Sequence, residues 1–534
     1  MILKKYSYND ISQFSKKDLQ YINLDPKLND FYNLKPDLES FEKAINAKSK
    51  QAIDRVLLTE VLKEQCDKFP DNEKSIKNIE LLKKENSFTI ITAHQPSLLT
   101  GPLYYIFKIA SAINLCNTLN EKLKTYNFIP LFITGGEDHD FEEINHVKIF
   151  NDKITWDAAD WNGGSVGRLK PETLEDTILK VVNLIGDKSH AGSWLLEHGI
   201  PLAKTSINYS EFARHLTHRL FSKFGLVILS MDDERLKEKF SSIIQLEVLE
   251  QKSQALVEKT QAELASSGWK SQAHAREINF FYLENDQRLR IIKDGENYGL
   301  QGSPITWSAS EMAKEIEKNP AKFSPNVVMR PLFQEFILPN LAYIGGGGEI
   351  AYWLERKRQF DSFEIPFPML IRRNSALILN NHQTKNLKKS GQDLSYFFHP
   401  KDNLTNIFLE AEVADEISLD NFREEIEPIV RKIVAQAKTA DPTLEKFAEA
   451  ELTKWEKSMS TIEGKIKKAY KVKQEIQINR ILKTHEALFP DNGLQERKEN
   501  IFPLINEYGW ELIDFLVENL DPLDRQLSVI SQSS

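Results

Sequence analysis

"SFTIITAHQPSLLTGPLYYIFKIASAI", residues 87–113, decides how this chain is read. It opens with an apolar, β-favouring run of strand length. A polar knot of Thr92, His94 and Gln95 follows. Thr100-Gly101-Pro102 then breaks the chain, and an apolar helical pattern takes over. On it, Ile106, Ile109 and Ile113 share one face and Tyr104 and Lys108 another. Thr100 is expected to cap that helix and Pro102 to fit its first turn. The helix start beside His94 and Lys108 suits a phosphate or a carboxylate.

Four more runs share the strand character: 127–134 (NFIPLFIT), 224–231 (FGLVILSM), 340–344 (NLAYI) and 366–371 (PFPMLI). Helical patterns lie between several of them. Buried runs alternating with helices predict an α/β fold, a parallel sheet covered on both faces. "INFFYL" (278–283) and "RLRII" (288–292) flank "ENDQ" and predict a hairpin, part of an insertion at about 265–310. Residues 151–200, with "WNGGSVG", read as a second insertion. Residues 1–86 are charged and interrupted, with helical stretches near 37–48 and 50–68, and the core is expected to span 1–380.

Beyond it, "NNHQTKNLKKSGQD" (380–393) reads as a linker. Two heptad-like patterns follow, one from Leu419 through Phe422, Ile426, Ile429 and Ile433, the other from Leu444 to Ile476. Asp441-Pro442 separates them and predicts an antiparallel α-helical coiled-coil arm over 381–490, used for dimerisation. The tail, 491–534, is rich in aromatics at 502–516 and is expected to pack back onto the core.

The 534 residues carry a net charge of -9, which argues against nonspecific nucleic-acid binding. "KIKKAYKVK" (465–473) reads as a solvated coiled-coil face. No run of 18 apolar residues occurs and the first ten residues lack a signal-peptide core, so a cytoplasmic protein without a membrane span is expected. Cys66 and Cys116 lie in no CxxC pattern, which fits a reduced compartment, and Cys116 reads as a core residue.

Ligands of open parallel sheets bind at the carboxyl ends of the strands, which ranks the motifs. The first strand ends in His94-Gln95. The second ends in "TGGEDHDFEEINH" (134–146), with Glu137, Asp138, His139 and Asp140 in succession. If that segment turns helical, His139, Glu143 and His146 share a face. Such a cluster suits a metal, an ATP–Mg²⁺ contact or acid/base chemistry; helix-capping acids are the plainer reading. The third ends in Asp232-Asp233, expected to cap a helix. The fourth feature is "VMRPLFQEFILPNLAYIGGGGEIAYW" (328–353). Its Gly345, Gly346, Gly347 and Gly348 allow close approach of backbone amides to a ligand and positive φ. Arg330 and Gln334 precede them, with Glu349 and Tyr352 following. Neither GxxxxGK[ST] nor GxGxxG is present.

Together these motifs, with "FPDNGLQERKENIFPLINEYG" (489–509), resemble the cysteine-adding enzyme family of bacillithiol biosynthesis, in order and spacing, over nearly the whole chain. One position departs: Ala93-His94-Gln95 stands where the family often reads Gly-Gln-Gln. The resemblance implies a Rossmann-like core with inserted segments and a C-terminal coiled coil that forms a homodimer. It implies addition of L-cysteine to the amine of glucosaminyl-malate. It also implies an adenine-nucleotide site, to which Gln495, Arg497 and Asn500 are candidate contributors.

Condensing a carboxylate with an amine in water is uphill, so a ligase activating cysteine with ATP (ADP or AMP being released) and Mg²⁺ is the expected chemistry, with no tightly bound metal. His94, Gln95 and Lys108 are expected near the nucleotide or carboxylate, with Thr100 and Tyr104 beside them. Residues 137–140 are expected to hold Mg²⁺, bind the cysteine ammonium or take a proton, with Asn145 and His146 at the same edge. Arg330, Gln334 and the glycine loop would position the malate end or a phosphate. The alternatives are a nucleotidyltransferase-like enzyme with another acceptor and a non-catalytic coiled-coil adaptor.

Overall fold

The computed structural model describes residues 1–532 except 151, 159, 160, 162 and 286. Asp286 of the expected hairpin turn, and four positions of the first inserted segment, therefore lie outside the described residues. The chain divides into two compact units, one of residues 1–9, 14–380 and 495–534, the other of 10–13 and 381–494.

The first unit is built on β1 (Ser87–His94), β2 (Asn127–Thr134), β3 (Val227–Ser230), β4 (Asn340–Gly345) and β5 (Met369–Arg372). They form one sheet in the order β5-β4-β1-β2-β3, every pairing parallel. This is the Rossmann order, in which the chain leaves β1 in one direction and β4 in the other. The strands read as unbroken apolar runs because both faces are covered: Phe88, Ile90, Ile91, Leu131, Phe132 and Ile344 are all at most 1% exposed. Helix Tyr104–Lys122 connects β1 to β2 and buries Ile106, Ile109, Ile113 and Cys116. Right-handed crossovers running opposite ways from β1 and β4 leave a crevice over the ends of those two strands.

An antiparallel five-stranded sheet is inserted between β3 and β4. The expected hairpin is its centre, Phe280–Glu284 paired with Gln287–Asp294. Phe323–Pro325 closes one edge, so this sheet reaches past residue 310. The tail returns as strand Gln526–Ser531, between Ile2–Ser7 and Ala376–Ile378.

The second unit is helical. Asp420–Ala440 and Leu444–Lys473 form the expected antiparallel pair, broken at Asp441-Pro442. Neither helix has a buried residue, and Phe422, Ile429 and Ile433 are 56%, 56% and 57% exposed. The expected linker 380–393 is instead mostly helix, Asn381–Ser390. Polar composition misled there: the segment is held through backbone groups, with Gln383 Nε2 donating to Ala487 O and Gln477 Nε2 to Ser390 O, both at 2.7 Å.

Two local expectations fail in the first unit. Thr100 caps nothing: the helix starts at Tyr104 without a side-chain cap, and Leu99, Thr100 and Gly101 have φ of 47°, 69° and 60°. Asn500 stabilises this left-handed run by donating from Nδ2 to Leu99 O (2.9 Å) and Gly101 O (2.7 Å). Nor do His139, Glu143 and His146 share a helix face. The helix there is one turn, Phe141–Ile144, and His146 opens the strand His146–Ile149.

Candidate active site

The crevice at the switch point holds a cleft of about 930 Å³. β1 ends in it with Ala93, His94 and Gln95; the segment after β2 brings Gly135, Glu137, Asp138 and His139; the turn after β4 brings Gly346, Gly347 and Gly348. Tyr104, Lys108, Arg330, Glu349 and Tyr352 complete this side. Three segments far apart in sequence therefore converge because each lies at the carboxyl edge of one sheet.

Lys108 sits at the centre. Its Nζ donates to Ala93 O at 2.9 Å and meets Glu349 Oε2 at 2.6 Å. An ammonium has three N–H donors, so one remains for a ligand. Glu349 also accepts from Tyr343 OH (2.6 Å) and Gly346 N (2.9 Å). Burial alone would raise its pKa, but Lys108 and these donors hold it down to about 2. Burial draws Lys108 below the ordinary lysine value, Glu349 opposing that shift.

Burial, with Lys108 adding to it, lowers His94 to about 4, so its imidazole is neutral at pH 7. Its Nδ1 lies 2.9 Å from Gln95 O, and a carbonyl only accepts. The proton is therefore on Nδ1, and Nε2 carries a lone pair. Gln95 Nε2 donates to Asp138 Oδ2 at 2.9 Å, while its buried Oε1 has no partner among the described residues. Asp138 is pulled down to about 2: burial works against this, and His139 and Arg288 outweigh it. Glu143, also lining the cleft, is shifted upward by burial and by Asp140 and Asp138.

Other candidates serve the frame. Glu137 meets the buried Lys237 at 2.5 Å, and Lys237 also meets Asp232 at 2.8 Å. Asp233 caps helix Glu234–Lys239 as expected, through Arg235 N. Asp140 caps the turn at Phe141–Ile144 by accepting from Glu143 N (3.1 Å) and is outside the cleft wall. Thr100, Asn145, His146 and Gly345 are outside it too. Gln334 is fully buried and accepts from Arg330 Nη1 at 3.1 Å, while Arg330 Nη2 donates to Tyr352 OH at 3.1 Å. Gln495 pairs with both backbone groups of Ile378, and Asn500 with the 99–101 loop, which leaves Arg497 as the one of those three in the cleft.

The glycine loop works by closeness, not by backbone strain: none of Gly345 to Gly348 has positive φ. A Cβ at Gly347 would lie 2.6 Å from Asp18 Cγ, and Asp18 is locked in a buried pair with Arg372 at 3.0 Å. At Gly348 a Cβ meets nothing within 4 Å. A Cβ at Gly346 would sit 3.6 Å from Arg373 Nε, which is buried without a partner among the described residues. An open glycine turn beside an unpartnered guanidinium N–H, Arg330 and the third donor of Lys108 fits a phosphate or carboxylate.

Arg276, Arg288, Arg290 and Arg373, all in the cleft wall, are not marked by any of the strand-end motifs of the sequence. The first three ride on or beside the inserted sheet, and Arg373 immediately follows β5. Arginine beyond the end of an apolar strand was the one available signal, for Arg373.

Fold and site define an α/β protein of the Rossmann-like class with a cleft at the topological switch point. Residues 1–374 match the family model described as the bacillithiol biosynthesis BshC N-terminal Rossmann-like domain, and residues 376–532 match the model of the BshC C-terminal coiled-coil domain. The chain belongs to this family. It is 37% identical to a relative from Flavobacterium psychrophilum, with 99% of each chain covered. It is 36% identical to one from Flavobacterium johnsoniae (98% of this chain, 99% of the relative) and 28% identical to one from Bacillus cereus (88% and 89%). All three bear the provisional name cysteine ligase BshC.

Proposed function

We propose that this cleft joins L-cysteine to the amine of glucosaminyl-malate through an amide bond, with ATP-type activation of the cysteine carboxyl group. The observation that carries the reading is the pairing, in one cleft, of anion-seeking donors (Lys108, Arg330, Arg373) with an acid edge (Asp138, Glu143). Amide formation needs both: donors to hold a carboxyl or phosphoryl group where negative charge develops, and acids to hold an ammonium and accept its proton.

Lys108 and Arg330 hold the activated carboxyl end, with the glycine turn approaching it. Asp138, ionised throughout the neutral range, holds the cysteine ammonium, oriented by Gln95. Glu143, with its raised pKa, is the better-matched base for the attacking amine. His94 offers the lone pair of Nε2 as a fixed acceptor. ATP, consumed as a substrate, supplies the driving force, and Arg497 is its remaining candidate contact from the tail. The protein acts in the cytoplasm as a homodimer through the exposed apolar stripe of the helical pair.

Purified protein is incubated with cysteine, glucosaminyl-malate and ATP, and the mixture is read by mass spectrometry. The reading requires the thiol amide product together with AMP or ADP. A nucleotide product without the thiol amide points to another acceptor, and no turnover favours the adaptor.

A further inference from the structure

The inserted sheet presents a second cationic wall to the cleft. Residues two apart on a strand share a face, so Arg288 and Arg290 point the same way. Phe281 lies directly opposite Arg290 in the antiparallel register. The Arg288 guanidinium stands 4.0 Å from the Phe281 ring centre and that of Arg290 stands 6.0 Å away. Arg276 lines the cleft just before this strand.

Arg288 is fixed. It donates to Ser324 Oγ (3.1 Å) and Pro325 O (3.0 Å) and lies 3.4 Å from Asp138 Oδ1. Arg276 and Arg290 have no ion pair among the described residues, although the chain as a whole carries a net charge of -9. Of the three guanidinium groups only Arg288 is paired with a carboxylate, Asp138, which already accepts from Gln95; of the other cleft acids, Glu137 and Glu349 are engaged by Lys237 and Lys108. Like charges gathered on one ring in a cleft are short of negative charge, and guanidinium forks match planar carboxylates bidentately.

We infer that Arg276 and Arg290, backed by Arg288 and Phe281, form a subsite for a compact dicarboxylate. Resting on the function proposed above, this subsite takes the malate end of the amine-bearing substrate. It leaves the glycine turn, Lys108 and Arg330 for the group being activated. Recognition is by charge and shape, so glucosamine glycosides without carboxylates are poor acceptors.

L-malate is the probe, titrated by calorimetry into the full-length protein and into Arg276→Gln, Arg290→Gln and Arg290→Lys, with ADP titrated in parallel. Malate is expected to saturate the wild type. Its affinity is expected to fall at least about tenfold in both Gln variants and by less in Arg290→Lys, which keeps the charge but loses the fork. ADP affinity stays within about twofold and reports that each variant is folded. Equal malate affinity in all four proteins, loss of ADP rather than malate binding, or no malate binding by the wild type overturns the subsite. The amide assay separates the two ideas. If malate binding follows the variants but no thiol amide forms, the function fails and the subsite stands. If the amide forms and malate binding is unchanged, the subsite fails and the function stands.

Discussion

Lys108 Nζ and Glu349 Oε2 meet at 2.6 Å across the gap between the helices that follow β1 and β4. Lys108 is 2% exposed and Glu349 22%, so neither charge is well solvated alone. Removing one partner of such a pair strands the other and costs about 3–5 kcal/mol. Lys108→Met is therefore expected to lower the denaturant midpoint strongly. Lys108→Met/Glu349→Gln should recover much of that loss without recovering activity. Additive single effects in this cycle would mean that the pair does not couple the two halves of the site.

The same pair sets an acid limit. Glu349 falls from 4.5 to about 2 on folding, so its stabilisation is complete above about pH 4.5 and is lost as pH falls from there toward 2. Glu349→Gln is expected to flatten stability against pH in that window, measured by urea midpoints. An unchanged acid limb in the variant contradicts the assignment.

These contacts show which parts of the site could be read from sequence. β1, β2 and β4 were legible because strands buried on both faces are written as apolar runs. His94, Asp138 and the glycine turn were legible because a parallel sheet puts its chemistry where such runs stop. Arg276, Arg288 and Arg290 were not, since their place depends on how an inserted sheet folds over the cleft. Thr100 does not cap the helix that its sequence position suggests, because its loop is fixed by Asn500, 401 positions beyond Leu99 in the chain. Gln495 and Asn500 carry side chains that look ligand-ready in sequence, yet backbone groups occupy them.

His94 tests what the first strand's end requires. Burial lowers it to about 4, so a neutral polar group is what the cleft contains at pH 7. His94→Gln should keep kcat/KM within about tenfold, and His94→Ala should lose more. A collapse of His94→Gln to the level of the Ala variant, with kcat/KM in the wild type titrating near pH 6 to 7, would make His94 an acid–base catalyst instead.

Gly347 and Gly348 should part company. Gly347→Ala drives a methyl into the Asp18 carboxylate, which Arg372 holds in place, and is expected to cost about 1–3 kcal/mol. Gly348→Ala meets open space in the first turn of helix Gly347–Leu354 and is expected to leave stability equal or higher by up to about 1 kcal/mol. Its methyl should still weaken substrate binding. Thermal melts and KM values for the two variants check this; equal stability losses would contradict it.

Glu247 is fully buried and pushed up to about 7 by that burial. It accepts from Asn279 Nδ2 (2.7 Å), whose Oδ1 in turn accepts from Arg276 N and Asn326 Nδ2, both at 3.0 Å. A carboxyl group with a raised folded pKa favours the folded state at low pH and loses that advantage as pH rises from 4.5 to about 7. Glu247→Gln should therefore show a smaller fall in urea midpoint between pH 5 and pH 8 than the wild type does. An equal fall would remove Glu247 as its source.

The most direct test compares thiol amide formation by the wild type and Asp138→Asn, measured by mass spectrometry with cysteine, glucosaminyl-malate and ATP. Asp138 is half-exposed at the acid edge of the cleft, and asparagine keeps its shape while removing its charge. The account predicts product from the wild type and a rate at least about a hundredfold lower from the variant, with melting temperatures within about 2 °C. Equal rates from the two proteins would contradict the placement of the chemistry in this cleft.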